Sequence, residues 1–227
     1  MGTLRVVSQS GEPFVDRREA GRLLARELGH LKGSNAVVLG IPRGGVLVAR
    51  EIASALEADL DVVLARKMRT PGQPELALGS VAEDGRIFLN DQVVKAFGVS
   101  KAYIEAEGTF QAKEIARRAE VIRRIRKKVP LTGRTVIVTD DGIATGATTQ
   151  AAFWAVAQES PRTLIAAIPV GPEETVTRLA EDVDEMICLK TPPYFSAVGQ
   201  FYVRFDQTDD DDVISVLREH EMRKLQA

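Results

Sequence analysis

The chain has 227 residues, 44% hydrophobic and 27% charged, with 30 basic and 32 acidic side chains and a formal net charge of −2. That balance excludes a disordered polyelectrolyte and gives no bulk electrostatic reason for a nucleic-acid partner. No apolar run approaches the ~20 residues that a spanning helix needs, and the start MGTLRVVSQSGEPF lacks the basic segment and apolar centre of a signal peptide. A cytoplasmic protein is expected, with no membrane partner.

Compact domains run to about 100–200 residues, so a single domain spanning 1–227 around one core is expected. Cys188 is the only cysteine, which rules out an internal disulfide; within VDEMICLK it reads as a small buried hydrophobe. His30 and His220 stand far apart beside charged residues. They form neither a zinc pair nor a triad, and both read as ordinary surface histidines.

In chain order, Asp16 reads as the cap of a helix running to about His30, followed by a strand at AVVLG (36–40). A Gly-rich turn leads into a helix at GGVLVAREIASALEA (44–58), and DVVLAR (61–66) reads as a second strand. Residues 71–90, with PGQPE and EDG, have the short β-like runs of a hairpin or mobile flap, the whole flap covering about 67–90. The segment AKEIARRAEVIRRIRKK (112–128) gathers Arg117, Arg118, Arg123, Arg124, Arg126, Lys127 and Lys128. It reads as one solvated face of a helix balanced by Glu105, Glu107, Glu114 and Glu120, with RNA binding as the less favoured alternative.

Strands follow at TVIVTD (135–140), TLIAAIPV (163–170) and DVDEMICL (182–189), with helices at 147–160 and, opened by Pro172, at 172–182. TPPYFSAVGQFYVRF (191–205) reads as a small hood, and Asp209 to Asp212 as the cap and start of a last helix. Strands apolar on both faces, alternating with helices, predict an α/β fold: an open, mostly parallel sheet with helices on both faces.

Such sheets bind ligands beyond the carboxyl ends of their strands. The stretch VIVTDDGIATGATT (136–149) is the most informative of these loops. Small residues let backbone N–H groups meet an anion at a helix N-terminus, and the threonine hydroxyls can donate to phosphate oxygens. Two carboxylates would repel that anion unless they face a neutral part of the same ligand that carries donors, such as ribose hydroxyls. A nucleotide P-loop would need GxxxxGK, and this loop has no lysine. A plain turn with an N-cap needs only one acid.

This stretch resembles the 5-phosphoribosyl 1-diphosphate (PRPP) binding motif of type I phosphoribosyltransferases. The resemblance implies that fold, with Asp140 and Asp141 on the ribose hydroxyls and Ala144, Thr145, Gly146, Ala147, Thr148 and Thr149 around the 5-phosphate. GIPRGG (40–45) stands where the family has its pyrophosphate loop, implying that Arg43, Gly44 and Gly45 meet the diphosphate. Lys67 and Arg69, in a loop that closes over the site in that family, become catalytic candidates for neutralising the leaving group, alongside Asp140 and Asp141. The segment RKMRTPGQPELALGSVAEDG and the ending PPYFSAVGQFY also resemble a less characterised bacterial branch of such proteins, a likeness running from about 14 to 217.

The activity so implied is transfer of a phosphoribosyl group from PRPP to a nitrogenous acceptor, a nucleobase by the resemblance, with release of pyrophosphate. A PRPP sensor without turnover is the alternative. Mg²⁺ is implied as cofactor, reached by Asp140 or Asp141 directly or through water, and a homodimer is a common assembly in the family. Hypoxanthine–guanine enzymes commonly carry an aspartate where this chain has Ala144, and DDGIATGAT is more similar to adenine and uracil enzymes. Tyr194, Phe195, Phe201 and Tyr202 of the hood are the candidates for stacking on a base, with core packing as the competing reading.

Overall fold

The computed structural model describes residues 2–226, excluding the side chains of Glu75, Leu225 and Gln226. Six parallel strands form the central sheet: β1 (Thr3–Ser8), β2 (Val37–Gly40), β3 (Asp59–Val62), β7 (Thr135–Thr139), β8 (Thr163–Val170) and β9 (Glu185–Lys190), in the order β1-β9-β8-β7-β2-β3. Between β3 and β7 the chain builds a three-stranded antiparallel sheet from β4 (Ala65–Thr70), β5 (Gln73–Ala82) and β6 (Ile87–Leu89).

Period-two alternation sends neighbouring residues of one strand into different cores. On β2, Val37 and Leu39 join one apolar cluster with Val136, Val138 and Phe153, while Val38 joins the other with Leu24, Ile52 and Leu60. Helices α1 (Arg17–Glu27), α2 (Gly45–Leu56) and α7 (Asp210–Gln226) supply the second cluster; α5 (Ala147–Ala157) and α6 (Glu173–Leu179) supply the first. The predicted parallel sheet with helices on both faces is the one observed.

Local chemistry sets the helix starts. The Asp16 carboxylate accepts the Glu19 N–H at 2.9 Å, as expected of the cap. Asn90 caps α3 (Asp91–Ala96) and Ser100 caps α4 (Lys101–Arg123) in the same way. Gly146 enters α5 with φ +74°, a conformation that costs glycine little.

Several expectations need correction. The strand expected over 61–66 is two strands: β3 ends at Val62, the limit of its register with Gly40, and β4 belongs to the second sheet. Residues 71–90 form the hairpin, one of the two readings, with β5 paired antiparallel with β6, and it is docked rather than standing free. Met68, Leu78 and Val81 are buried in the main core, and Phe88 packs on Trp154 of α5 with ring centroids 4.7 Å apart. The basic run is not one wet helical face: α4 stops at Arg123, whose guanidinium holds Glu83 and the buried Asp61, and Arg126 pairs with Asp59 and Glu221.

His220 is not a surface residue. It is 6% exposed, its Nε2 lies 3.1 Å from the Ala58 carbonyl, and burial lowers its pKa. Cys188 is buried as expected, its thiol pushed up to about 12 by burial. Strand β1 was not foreseen. Its residues are mostly exposed at the sheet edge, so they lack the apolar run by which a two-sided buried strand is read. Among the described residues no helix is long and apolar enough to cross a membrane.

Candidate active site

Three chain segments meet at the carboxyl ends of β2 and β7. The loop after β7 carries Asp140 and Asp141, the loop after β2 carries Arg43 to Gly45, and α1 contributes Arg17. Glycine makes this convergence possible: a Cβ on Gly44 would fall 1.9 Å from Asp141 Oδ2, and one on Gly45 would fall 2.7 Å from Asp140 Cα. The two glycines, expected as diphosphate ligands, are thus also what lets one loop lie against the other.

The two carboxylates have different surroundings. Asp140 Oδ1 accepts the Asp141 N–H at 2.8 Å, and burial together with the Asp141 charge raises its pKa well above the usual carboxylate range. Asp141 Oδ2 accepts from Arg17 Nε at 2.7 Å. Arg17 in turn donates to the Asp206 carbonyl at 2.9 Å and lies with its Cζ 3.9 Å from the Phe205 ring centroid. Arg17 and Phe205 were not among the predicted residues. No spacing in the sequence marks them, since they are brought to Asp141 from helix α1 and from the last residue of the hood.

The loop from Ala144 to Thr149 is fastened from behind by α6. Thr175 Oγ1 donates to the Ala144 carbonyl at 3.0 Å, and Arg178 Nη2 donates to the Thr145 carbonyl at 2.8 Å. With those carbonyls held, the backbone N–H groups of 144–149 donate to no protein acceptor among the described residues. Six consecutive free amides at a helix start form a seat for an anion. Thr145 and Thr148 are exposed there, whereas Thr149 is buried.

Two clefts flank the 41–45 loop. The first, about 450 Å³, is lined by Arg17, Arg43, Gly44, Asp141 and the stretch from Phe205 to Thr208. Arg43 is exposed in it, without an ion pair among the described residues. The second, about 410 Å³, is bounded by Ile41, Pro42, Thr148, β4 and α4. Lys67 and Arg69 line this second cleft, so they do not share a cleft with Arg43. Arg69 is further engaged by Glu107, its Nε 3.0 Å and its Nη2 3.3 Å from the carboxylate oxygens.

For Phe201 and Tyr202 of the hood, core packing is the reading observed. The Tyr202 ring is 6% exposed and stacks on Phe205 at 5.1 Å, while its hydroxyl donates to the Asp141 carbonyl at 2.5 Å. Burial raises the Tyr202 pKa and keeps that donor protonated. Phe201 is buried and Phe195 packs on it at 5.1 Å; Tyr194 is 86% exposed. Tyr202 and Phe201 therefore offer no open face to a base: the hood pins the acidic loop instead. Phe205 lines the cleft that holds Asp141.

The family model described as "Phosphoribosyl transferase domain" matches residues 16–206 of this chain. A Mycobacterium tuberculosis (strain ATCC 25618 / H37Rv) protein, Rv0571c, provisionally named a phosphoribosyl transferase, is 48% identical over 204 residues, which is 90% of this chain and 46% of that protein. The chain thus spans about half the length of the curated relatives it matches. The crystal structure of TT1426 from Thermus thermophilus is 44% identical and has a TM-score of 0.87, covering 91% of this chain and 98% of that one.

Proposed function

Since this chain belongs to the phosphoribosyl transferase domain family, we propose that it transfers a 5-phosphoribosyl group from PRPP to a nitrogenous acceptor of the nucleobase class, releasing pyrophosphate. The observation that carries this reading is one strand-to-helix loop in which two carboxylates precede six free backbone amides. Asp140 and Asp141 accept from the ribose 2- and 3-hydroxyls, and the amides of 144–149 with Thr145 and Thr148 hold the 5-phosphate. Arg43 and the Gly44 and Gly45 amides meet the diphosphate.

The acceptor nitrogen's lone pair forms the bond to C1 as the C1–O bond breaks; that electron pair leaves with the diphosphate, and the nitrogen's proton passes to a base or to solvent. Fixed charges and dipoles placed where charge separates lower the barrier without reorganising. Arg17 is a positioning residue: it orients Asp141 through a charge-assisted hydrogen bond.

The residues present fit Mg²⁺ as an ion carried largely by the donor's own oxygens. Among the described residues no group of three or more His, Cys, Asp or Glu could hold a metal, and Mg²⁺ needs only one or two carboxylates beside substrate phosphates. Asp140 and Asp141 are that pair, and the ion would neutralise charge on the leaving diphosphate.

The test is pyrophosphate release from PRPP with Mg²⁺ against purines, pyrimidines and simple amines. Release that depends on one acceptor is expected. A folded sample that binds PRPP yet stays silent with every acceptor would replace the transferase by a PRPP sensor.

A further inference from the structure

Resting on the reading above, we propose that Arg17 is a second guanidinium for the donor's diphosphate. With Arg43 it grips the leaving group in the cleft of about 450 Å³ that both residues line, while it holds Asp141 at the ribose. Neither strand-to-helix loop supplies this residue; it comes from the first turn of α1.

The hydrogen bonds of Arg17 leave one edge unspent. A guanidinium carries five N–H donors in a fixed fork. Nε donates to Asp141 Oδ2 at 2.7 Å and Nη1 to the Asp206 carbonyl at 2.9 Å, and Nη2 has no hydrogen-bond partner among the described residues. Nη2 is nevertheless not one of the partnerless atoms sealed from solvent, which are Ser80 Oγ and Thr191 Oγ1. The side chain is only 9% exposed, so its opening is the cleft that it lines. A residue that only oriented Asp141 would have its other donors satisfied by protein, as buried polar groups generally are.

The neighbours of Arg17 fix that edge. Phe205 lies against the guanidinium, its ring centroid 3.9 Å from Cζ, and Tyr202 stacks on Phe205 at 5.1 Å. On the loop side, a Cβ on Gly44 would fall 2.9 Å from Arg17 Nε, so the guanidinium lies against the residue that follows Arg43. One cation is therefore held rigidly beside another that is exposed. Such a pair matches an anion with oxygens on adjacent phosphorus atoms. The acids in the same lining are Asp141, bonded to Arg17, and Asp206, whose exposed side chain can turn to water. As the C1–O bond breaks and negative charge grows on the diphosphate, a guanidinium edge already in place strengthens its bonds there without reorganising.

The experiment is calorimetry on the full chain with the donor's two halves as separate probes, magnesium pyrophosphate and ribose 5-phosphate, and with PRPP itself. Arg17→Met and Arg43→Gln should each lower pyrophosphate affinity about tenfold or more, the scale of one or two charge-assisted hydrogen bonds. Arg17→Lys keeps a charge for Asp141 but lacks the fork. It should retain ribose 5-phosphate affinity and still lose about threefold or more on pyrophosphate, and it decides the matter if Arg17→Met fails a melting-curve check. Full pyrophosphate affinity in Arg17→Lys or in Arg43→Gln would overturn the proposal. Equal losses of both halves in Arg17→Lys would do the same, because Arg17 would then act through Asp141 alone. A wild type that binds PRPP but not pyrophosphate would also overturn it and leave the transferase reading standing; that reading falls only if PRPP itself is not bound or not turned over.

Discussion

Asp140 is half-buried beside a second carboxylate, and its folded-state pKa is raised by desolvation and by the Asp141 charge. For an acid whose folded pKa lies above its unfolded value, stability is lost as pH rises from the unfolded value, 3.8 for aspartate, through the folded one. Ionised Asp140 thus costs stability at neutral pH. Asp140→Asn keeps the Oδ1 acceptor for the Asp141 N–H and removes the repulsion. It should raise the melting temperature by about 2–4 °C per kcal/mol gained while weakening PRPP binding. Asp141→Asn should behave oppositely in stability. It strips the carboxylate from Arg17, whose side chain is only 9% exposed, and a group left so poorly paired costs about 1–3 kcal/mol. Both variants should weaken PRPP binding. Paired melting curves and titrations at neutral pH check this, and a lower melting point for Asp140→Asn would contradict the assigned repulsion.

At the scale of elements, the shape of the 144–149 loop depends on a helix behind it. Helix α6 holds the Ala144 and Thr145 carbonyls through Thr175 and Arg178, and Arg178 Nη1 also donates to Gln150 Oε1 at 3.3 Å. Turning those carbonyls toward α6 leaves the loop amides unpaired. Arg178→Met retains much of the stem and removes both donors. PRPP affinity should fall about three- to tenfold, the worth of a net hydrogen bond or two, without any lost ligand contact. Inorganic phosphate binding, followed by the amide resonances of 144–149, should weaken in parallel. Unchanged phosphate affinity would show that the loop holds its shape alone.

Across the whole molecule, the C-terminal helix is bound to the sheet edge by polar contacts. Asp59 accepts from Lys224 at 2.6 Å and from Arg134 at 2.7 Å, and His220 reaches the Ala58 carbonyl one residue earlier. Burial opposes charging of His220, so its folded pKa lies below the ordinary 6.5. Stability from a depressed histidine is present above the unfolded pKa and is lost as pH falls through 6.5 toward the folded value. His220→Gln preserves hydrogen bonding without titration. Wild type should melt above this variant at about pH 7.5, and the gap should narrow by about pH 5. A gap that widened with acid would mean that His220 is stabilised in its charged form.

What was legible in the sequence was what local patterns encode. Two-sided apolar runs at 36–40, 135–140 and 163–170, short and β-branched, read as buried strands, Asp16 is a cap by its side-chain chemistry, and VIVTDDGIATGATT carries strand, acids and a loop of small residues and threonines in consecutive residues. The fold class followed from these. Other features depend on residues far apart in the chain. Arg17 meets Asp141 across 124 positions, and Tyr202 anchors it across 61. The docking of the 65–89 sheet and the burial of His220 likewise depend on which faces happen to meet. By itself the sequence determined the α/β sheet and the acidic strand-to-helix loop, because hydrogen bonding and periodicity act over a few residues. Only the tertiary structure decided which charges are paired, which cleft each cation lines and which aromatics remain open, because pairing and burial are properties of neighbours in space.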